Sequence, residues 1–272
     1  MNQFPFSRRK RFAFLLIPML IGAAYLGSAV LSSSPKKDAR IVKVNNLSRS
    51  CELLIAERHN GHVKLLIQNN SNKAITAYAL TSNTDARTVF TFEEEFATSE
   101  GDFVIPSGQS HETVIAIPGS IDRQAEVILN FSAVIFEDKT SEGDEVIIRG
   151  IEDNRLGQKI QFMKALPVLD KFSRLSDTEI AYYWTKAAGH DFEVALNAPD
   201  AELLEQLNKK SPNNRETHNE SEQFEEGSQY GKGYTFRTYQ ELKDAGEKAG
   251  AVDLRDRIIR VRDFYAKMIA RL

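Results

Sequence analysis

Residues Glu126–Met163 read EVILNFSAVIFEDKTSEGDEVIIRGIEDNRLGQKIQFM, and the spacing of apolar residues changes partway through. Up to Phe136 it is two. Val127, Leu129, Phe131, Ala133 and Ile135 alternate with Ile128, Asn130, Ser132, Val134 and Phe136. This alternation predicts a strand with one buried face, because successive side chains of a strand point to opposite sides. Past Gly143 the spacing becomes three to four: Ile147, Ile148, Ile151, Leu156, Ile160 and Met163 follow the stripe of a helix. Asp144 is placed to cap that helix, with Glu145 in its first turn, and Pro167 is expected to end it. Gly157 is expected to weaken or kink it. The chain therefore divides near residue 143 into a strand-rich part and a helical part.

Upstream, the period of two recurs. In His62–Asn69, Val63, Leu65 and Ile67 oppose Lys64 and Gln68. In Ala74–Thr81, Ile75, Ala77 and Ala79 oppose Thr76, Tyr78 and Leu80. In His111–Ile117, Thr113, Ile115 and Ile117 oppose Glu112, Val114 and Ala116. Thr88–Phe92 and Phe103–Ile105 are shorter candidates. Asn60-Gly61 signals a tight hairpin, since both positions of a type I′ turn need positive φ. Asn69–Lys73, Pro106-Ser107-Gly108 and Pro118-Gly119 supply further turns. About seven short strands so punctuated suggest an antiparallel immunoglobulin-like β-sandwich. The only tryptophan, Trp184, lies outside it, and the Cys…Trp…Cys hallmark of antibody domains is absent.

Two stretches carry a resemblance. Leu65–Ser82, LLIQNNSNKAITAYALTS, contains N-x-S-x-K-x-I-x-A-Y from Asn69 to Tyr78. Val134–Glu145, VIFEDKTSEGDE, approximates F-E-D-G-T-x-E-G-D, with IPSGQS (Ile105–Ser110) between them. Over about Glu52–Lys164 the chain resembles a group of uncharacterised exported bacterial proteins that have an immunoglobulin-like β-sandwich followed by helices. Lys139 stands where that group has glycine. The resemblance implies this fold and an exported location; it implies no activity and no catalytic residue.

The amino terminus agrees with export. Ser7–Arg11 reads SRRKR, and the next twenty residues, Phe12–Leu31, carry no charge. At about 1.5 Å per residue, a helix of that length spans the roughly 30 Å hydrocarbon core of a bilayer. The basic cluster before the run outweighs Lys36, Lys37 and Arg40 after it, which Asp38 dilutes. The positive-inside bias therefore exports the chain beyond the run. Residues 1–34 read either as a single-pass anchor in the cytoplasmic membrane or as a signal peptide cut near Gly27-Ser28-Ala29 or Val30-Leu31-Ser32; length favours the anchor. Arg8-Arg9 hints at twin-arginine export, but no F-L-K follows in register.

The domain order expected from the sequence is then the leader at 1–34, a β-sandwich at 41–143, a helical region at 144–210, a flexible acidic linker at 211–234, and C-terminal amphipathic helices at 235–272. Within the helical region, Ser176-Asp177-Thr178-Glu179 fits a capping box, and Pro199 suits the first position of a helix over Asp200–Leu207. Ser211–Gly233 holds almost no aliphatic residues, which argues for disorder. Over Asp200–Gly227 there are eight acidic and three basic side chains. In the tail, Ile258, Val261, Tyr265, Met268 and Leu272 form one stripe. Such a helix docks on its own domain, pairs with a partner helix, or lies on a membrane; the aspartates among its arginines count against the membrane.

Composition excludes several classes. A formal net charge of -3 over 272 residues does not suit a bulk electrostatic nucleic-acid binder. One cysteine, Cys51, excludes an intrachain disulfide and any cysteine-based zinc cluster, leaving a buried thiol or a bond between chains. No phosphate-binding glycine loop is present, so no nucleotide is expected, and no G-x-S-x-G or S-x-x-K nucleophile has supporting partners. His59 and His62, across the hairpin, are a histidine pair too small for a metal site alone; His111, His190 and His218 are scattered. Asp138–Arg149 fails as an EF-hand because Arg149 falls at position 12, where a bidentate carboxylate is needed; a looser surface calcium site would use the same carboxylates. Glu93-Glu94-Glu95 reads as a solvated acidic strand edge. No catalytic, cofactor or metal residue is assigned. The expected function is a non-catalytic binding or structural module of the cell envelope, outside the cytoplasmic membrane. It would meet a protein partner through sandwich edges or the C-terminal helix. The alternative is a hydrolase assembled at the sandwich–helix junction from His190, Asp191, Glu142 and Asp144.

Overall fold

A computed structural model of the chain describes residues 41–59, 61–84, 87–95, 105–117, 126–210, 221–249 and 251–272. Eight strands come first: β1 Ile41–Asn46, β2 Cys51–His59, β3 His62–Asn69, β4 Ile75–Thr84, β5 Arg87–Glu95, β6 Ser110–Ala116, β7 Glu126–Phe136 and β8 Ser141–Gly143. Helices follow: α1 Glu145–Ser173, α2 Asp177–Tyr183, a π-helical turn Trp184–Ala188, α3 Gly189–Asn197, α4 Ala201–Lys210, α5 Glu222–Ala249 and α6 Ala251–Arg271. All belong to one unit, Ala39–Leu272. The run Phe12–Leu31 lies outside the described residues. No described helix is long and apolar enough to cross a membrane.

The expected β-plus-α architecture holds. One sheet has the order β1-β7-β4-β5, with β8 also on β7; the other has the order β2-β3-β6. All the pairings are antiparallel except β1 with β7, which is parallel. A single apolar cluster joins the inner faces: Leu53, Val63, Leu65, Ile67 and Ile115 from the smaller sheet meet Tyr78, Leu80, Val127, Leu129 and Phe131 from the larger. Full burial of each such side chain contributes about 1.5–3 kcal/mol. The opposite face of the larger sheet is covered as well. Ala77, Ala79, Ala133 and Ile135 pack against Ile148 and Ile151 in the first turns of α1. Small residues on this face let the helix approach closely.

Strand β7 departs from simple alternation. Its bounds are as expected, but its faces exchange partway along. Val127, Leu129 and Phe131 point into the inter-sheet core, whereas Ala133 and Ile135 point to α1, and Val134 and Phe136 return to the core. The cause is a bulge at Ser132: Ala79 pairs with Ala133 and Leu80 with Phe131, leaving Ser132 without an opposite number. An extra residue in one strand inverts the parity beyond it. Strand β1 is an addition, since the predicted alternation begins only at Cys51.

The helical half differs from expectation twice. Helix α1 does not stop at Pro167 but runs on to Ser173. Pro167 lies on the exposed side, so the hydrogen bond that its missing N–H forgoes faces solvent, while Val168, Leu169 and Phe172 beyond it are buried. The acidic stretch is not a linker to residue 234, because α5 begins at Glu222; residues 211–220 lie outside the described residues. Glycines rather than aliphatic side chains dock the first turns of this helix, and Tyr239 and Leu242 are buried farther along it. A Cβ on Gly227 would lie 2.0 Å from the Asn154 carbonyl oxygen, and one on Gly157 would lie 2.2 Å from that of Phe224. Gly157 is thus a contact point between α1 and α5, not a weak spot. Phe224 is buried beside Ile160 and Leu204, and Gln161 Nε2 donates to Ser228 Oγ at 2.8 Å.

The predicted caps form, whereas Pro199, expected at the first position of α4, precedes that helix, which begins at Ala201. Asp144 caps α1, its carboxylate accepting from the N–H groups of Val146 and Ile147, and the Ser176–Glu179 capping box is formed. Buried Lys164 makes an ion pair with Asp200 and donates to the Ala198 carbonyl, fastening the turn before α4 to the middle of α1. In α6, Ile258, Tyr265 and Met268 are fully buried with Phe162, Phe172 and Trp184. The stripe therefore docks on its own domain, and any partner of this helix would meet its charged side.

Candidate functional site at the corner of two motifs

The two motif stretches meet in space. Asn69 ends β3 and is fully buried. Its Nδ2 donates to the carbonyls of Lys73 (2.7 Å), Ile105 (2.9 Å) and Pro106 (3.1 Å), and its Oδ1 accepts from the Ser71 N–H and hydroxyl. One asparagine thus closes the β3–β4 turn and ties it to the chain before β6. The turn aims Lys73 at the β7–β8 hairpin, where Nζ lies 2.6 Å from Asp138 Oδ2 and 2.9 Å from Thr140 Oγ1. Asp138 also accepts from the Thr140 N–H and hydroxyl. The hydrogen bonds from Lys73 and Thr140 hold its carboxyl down at about 2.

Lys139, between them, has φ 67, a left-handed conformation that costs a residue with a Cβ roughly 1–2 kcal/mol. Glycine there removes that cost but loosens the unfolded chain, so Lys139→Gly is expected to gain about 0.5–1 kcal/mol net. Calorimetry should show the Tm rising by roughly 2–4 °C; no rise would contradict the assigned turn.

At the far side of the hairpin stands Glu142. Its Oε2 accepts from Ser48 Oγ at 2.8 Å and from the N–H groups of Arg49 (3.0 Å) and Ser50 (3.1 Å), and its Oε1 accepts from Ser50 Oγ. Burial pushes the carboxyl upward, but the hydroxyls of Ser50 and Ser48 and the two backbone N–H groups prevail, and it ends below the usual glutamate range. A depressed carboxyl stabilises the fold above its unfolded pKa, and the contribution is lost as pH falls through the folded value. Glu142 and Asp138 act in the same direction. Thermal melts are therefore expected to show Tm dropping on acidification below about pH 4.5, with a smaller drop for Glu142→Gln.

Cys51 follows immediately. It is free and 3% exposed, and its N–H donates to Ser48 Oγ at 3.1 Å. Burial, aided by the negative charge of Glu142, pushes the thiol up to about 12 despite the Ser48 hydrogen bond. Thiolate is the reactive form, so an alkylating reagent near neutral pH should label native Cys51 at least about a hundredfold more slowly than the denatured chain. Equal rates would show that the site is open. A bond between two chains through Cys51 would first require this corner to come apart.

The catalytic alternative fares differently. Glu142 and Asp144 sit at the amino-terminal end of α1. Asp191 pairs with Lys171 at 2.7 Å, near the other end of that 29-residue helix, and His190 is exposed beside it. At about 1.5 Å per residue the two pairs stand roughly 40 Å apart, so these four side chains do not form one site. Nor do the carboxylates of the would-be calcium loop converge: Asp138 faces Lys73, Glu142 faces Ser48–Ser50, and Asp144 caps α1. His59 and His62 are paired across the hairpin as expected. Among the described residues, no three histidine, cysteine or acidic side chains are placed to share a metal ion. Glu93–Glu95 pair with β4 on the outermost strand of the larger sheet.

The outer face of the β2-β3-β6 sheet carries exposed apolar side chains that the sequence reading does not single out. Leu54 and Val114 are 48% and 56% exposed there. Val114 is the register partner of Lys64, whose Nζ lies 2.9 Å from Glu112 Oε2. Alternation itself puts Leu54 outward, since Cys51 and Leu53 are buried while Glu52 and Leu54 are exposed, and the register shift lies between Leu53 and Ile55. A shallow cleft of about 210 Å³ between α5 and α6 is lined by Thr238, Glu241, Leu242, Arg257, Arg260 and Val261. Arg257 there is bound to Asp253 at 2.6 Å.

Comparison with protein-family models, with curated proteins and with solved structures brings no match.

Proposed function

We propose that the chain is a binding module of the bacterial envelope, exported and held by the uncharged run 12–31, with an immunoglobulin-like domain as its recognition surface and the helices as its support. The observation that carries this reading is the outer face of the three-stranded sheet, where Leu54 and Val114 are exposed and Val114 lies beside the Lys64–Glu112 pair. The strand connectivity supports the immunoglobulin comparison. The chain crosses from the small sheet to the large one between β3 and β4, and again between β6 and β7, giving sheets β2-β3-β6 and β7-β4-β5. Export follows from the basic cluster and the uncharged run after it. At the motif corner, Asn69, Lys73, Asp138 and Glu142 all hold the chain to itself, which is a structural use of chemistry-bearing residues.

The test is capture of partners from native envelopes by the full chain, set against Leu54→Arg/Val114→Arg. That double variant should lose the captured protein while keeping its Tm. Deleting α6 would be a poor control, since Ile258, Tyr265 and Met268 belong to the core. Capture that survives both arginines would refute the surface. A mature amino terminus beginning after residue 31, read by mass spectrometry, would refute the anchor.

A further inference from the structure

The edge of β7 away from β4 is served by two different strands. β8 covers Ala133–Ile135, and β1 covers Glu126–Phe131 in the parallel sense. β1 is weakly seated by its side chains: Val42 and Val44 are half-buried, while Lys43, Asn45 and Asn46 are exposed. By contrast its carboxyl end is firmly caught. Glu142 gathers the Ser48 hydroxyl, the Arg49 and Ser50 N–H groups and the Ser50 hydroxyl, all within the four residues that join β1 to β2.

We infer that the Glu126–Phe131 edge of β7 is a strand-acceptor site, that β1 occupies it in cis, and that Glu142 is the latch keeping it occupied. With the latch released, β1 leaves as a unit and the edge takes an extended peptide carrying small β-branched side chains at alternate positions, as β1 does at Val42 and Val44. Backbone hydrogen bonds give such an addition its affinity, and the hollows beneath the alternate side chains give it selectivity. This surface is separate from Leu54 and Val114, so the two readings stand or fall independently.

The test uses the full chain in three forms: native, Glu142→Ala, and Glu142→Ala with Asn45→Cys/Asn130→Cys. Asn45 and Asn130 are register partners whose side chains meet at 2.9 Å, so a disulfide there ties β1 to β7. Hydrogen exchange should quicken about tenfold or more in Glu142→Ala at residues 41–46 and 127–131, with α1 and α5 unchanged, and the disulfide should reverse it. The probe is a labelled peptide of residues 39–50, ARIVKVNNLSRS. It should bind Glu142→Ala at least about tenfold more tightly than the native or disulfide-tied chain, and aspartate at its two valine positions should abolish binding. Exchange unchanged at β1, or quickened equally in the helices, overturns the latch. Peptide binding that ignores the disulfide, or no binding once β1 is free, overturns the acceptor site. If Glu142→Ala does not fold, Ser50→Ala, which removes one of the four donors, carries the same readouts.

Discussion

Gly227→Ala should cost the protein more than about 3 kcal/mol, an unusually large loss for one methyl group. The added carbon would sit 2.0 Å from the carbonyl oxygen of Asn154 and 2.9 Å from its Cα, and both are backbone atoms of a long helix. Neither can turn aside as a flexible side chain would. α1 and α5 must therefore move apart along their whole contact, which separates Gln161 from Ser228 and lets water reach Ile160 and Phe224. Gly157→Ala should behave alike, since its Cβ would meet the Phe224 carbonyl oxygen at 2.2 Å and the Ser228 nitrogen at 2.6 Å. Gly233 is the internal control. It lies in the same helix with nothing within 4 Å of where the methyl would sit, and alanine there should be neutral or stabilising by up to about 1 kcal/mol. Urea unfolding followed by circular dichroism separates the cases. Equal midpoints for Gly227→Ala and Gly233→Ala would end the close-contact argument.

A comparably large effect is expected at Gly143, where the chain turns from sheet to helix. Its φ of 120 lies where side chains with a Cβ are strained, and a Cβ would fall 2.1 Å from the Ser132 carbonyl oxygen. That oxygen also accepts the Asp144 N–H at 2.7 Å, so the bulge in β7, the end of β8 and the cap of α1 share one spot. Gly143→Ala should cost roughly 3 kcal/mol or more, through strain and clash together. Gly108→Ala isolates the strain, because Gly108 has φ 70 but open space around it, and about 1 kcal/mol is expected there. If the two variants lose the same stability, the packing of Ser132 against Gly143 contributes nothing. Near-ultraviolet dichroism of Trp184 would show whether the damage reaches the helical core.

Much of the fold is legible in the sequence because it rests on local patterns. The bounds of β3 and β7, the Asp144 cap and the Ser176–Glu179 box are all set by residues within a few positions of one another. The features that sequence does not supply are set by distant partners. The parity of β7 reverses at Ser132 because that residue is unpaired against β4, and alternation alone carries no trace of the bulge or of the Asp144 N–H that its carbonyl accepts. The first turns of α5, to Gly233, read as disorder because they lack aliphatic side chains. The glycines that look like flexibility are the surface by which these turns touch α1. At the motif corner the residue types are visible, but the pairing of Lys73 with Asp138 across 65 positions is not. The same limit governs His190, Asp191, Glu142 and Asp144: sequence distance leaves them free to meet, and the length of α1 keeps them apart.

The parallel seat of β1 fixes how the domain answers a mechanical load. The chain enters at Ile41, beside the start of β7, and leaves toward the helices at Gly143, beside Ala133 in the second half of that strand. Tension between the amino-terminal segment and the helical half would draw β1 and β7 lengthwise past each other. Their hydrogen bonds would then share the force in shear instead of opening one after another, and resistance would persist until several gave way together.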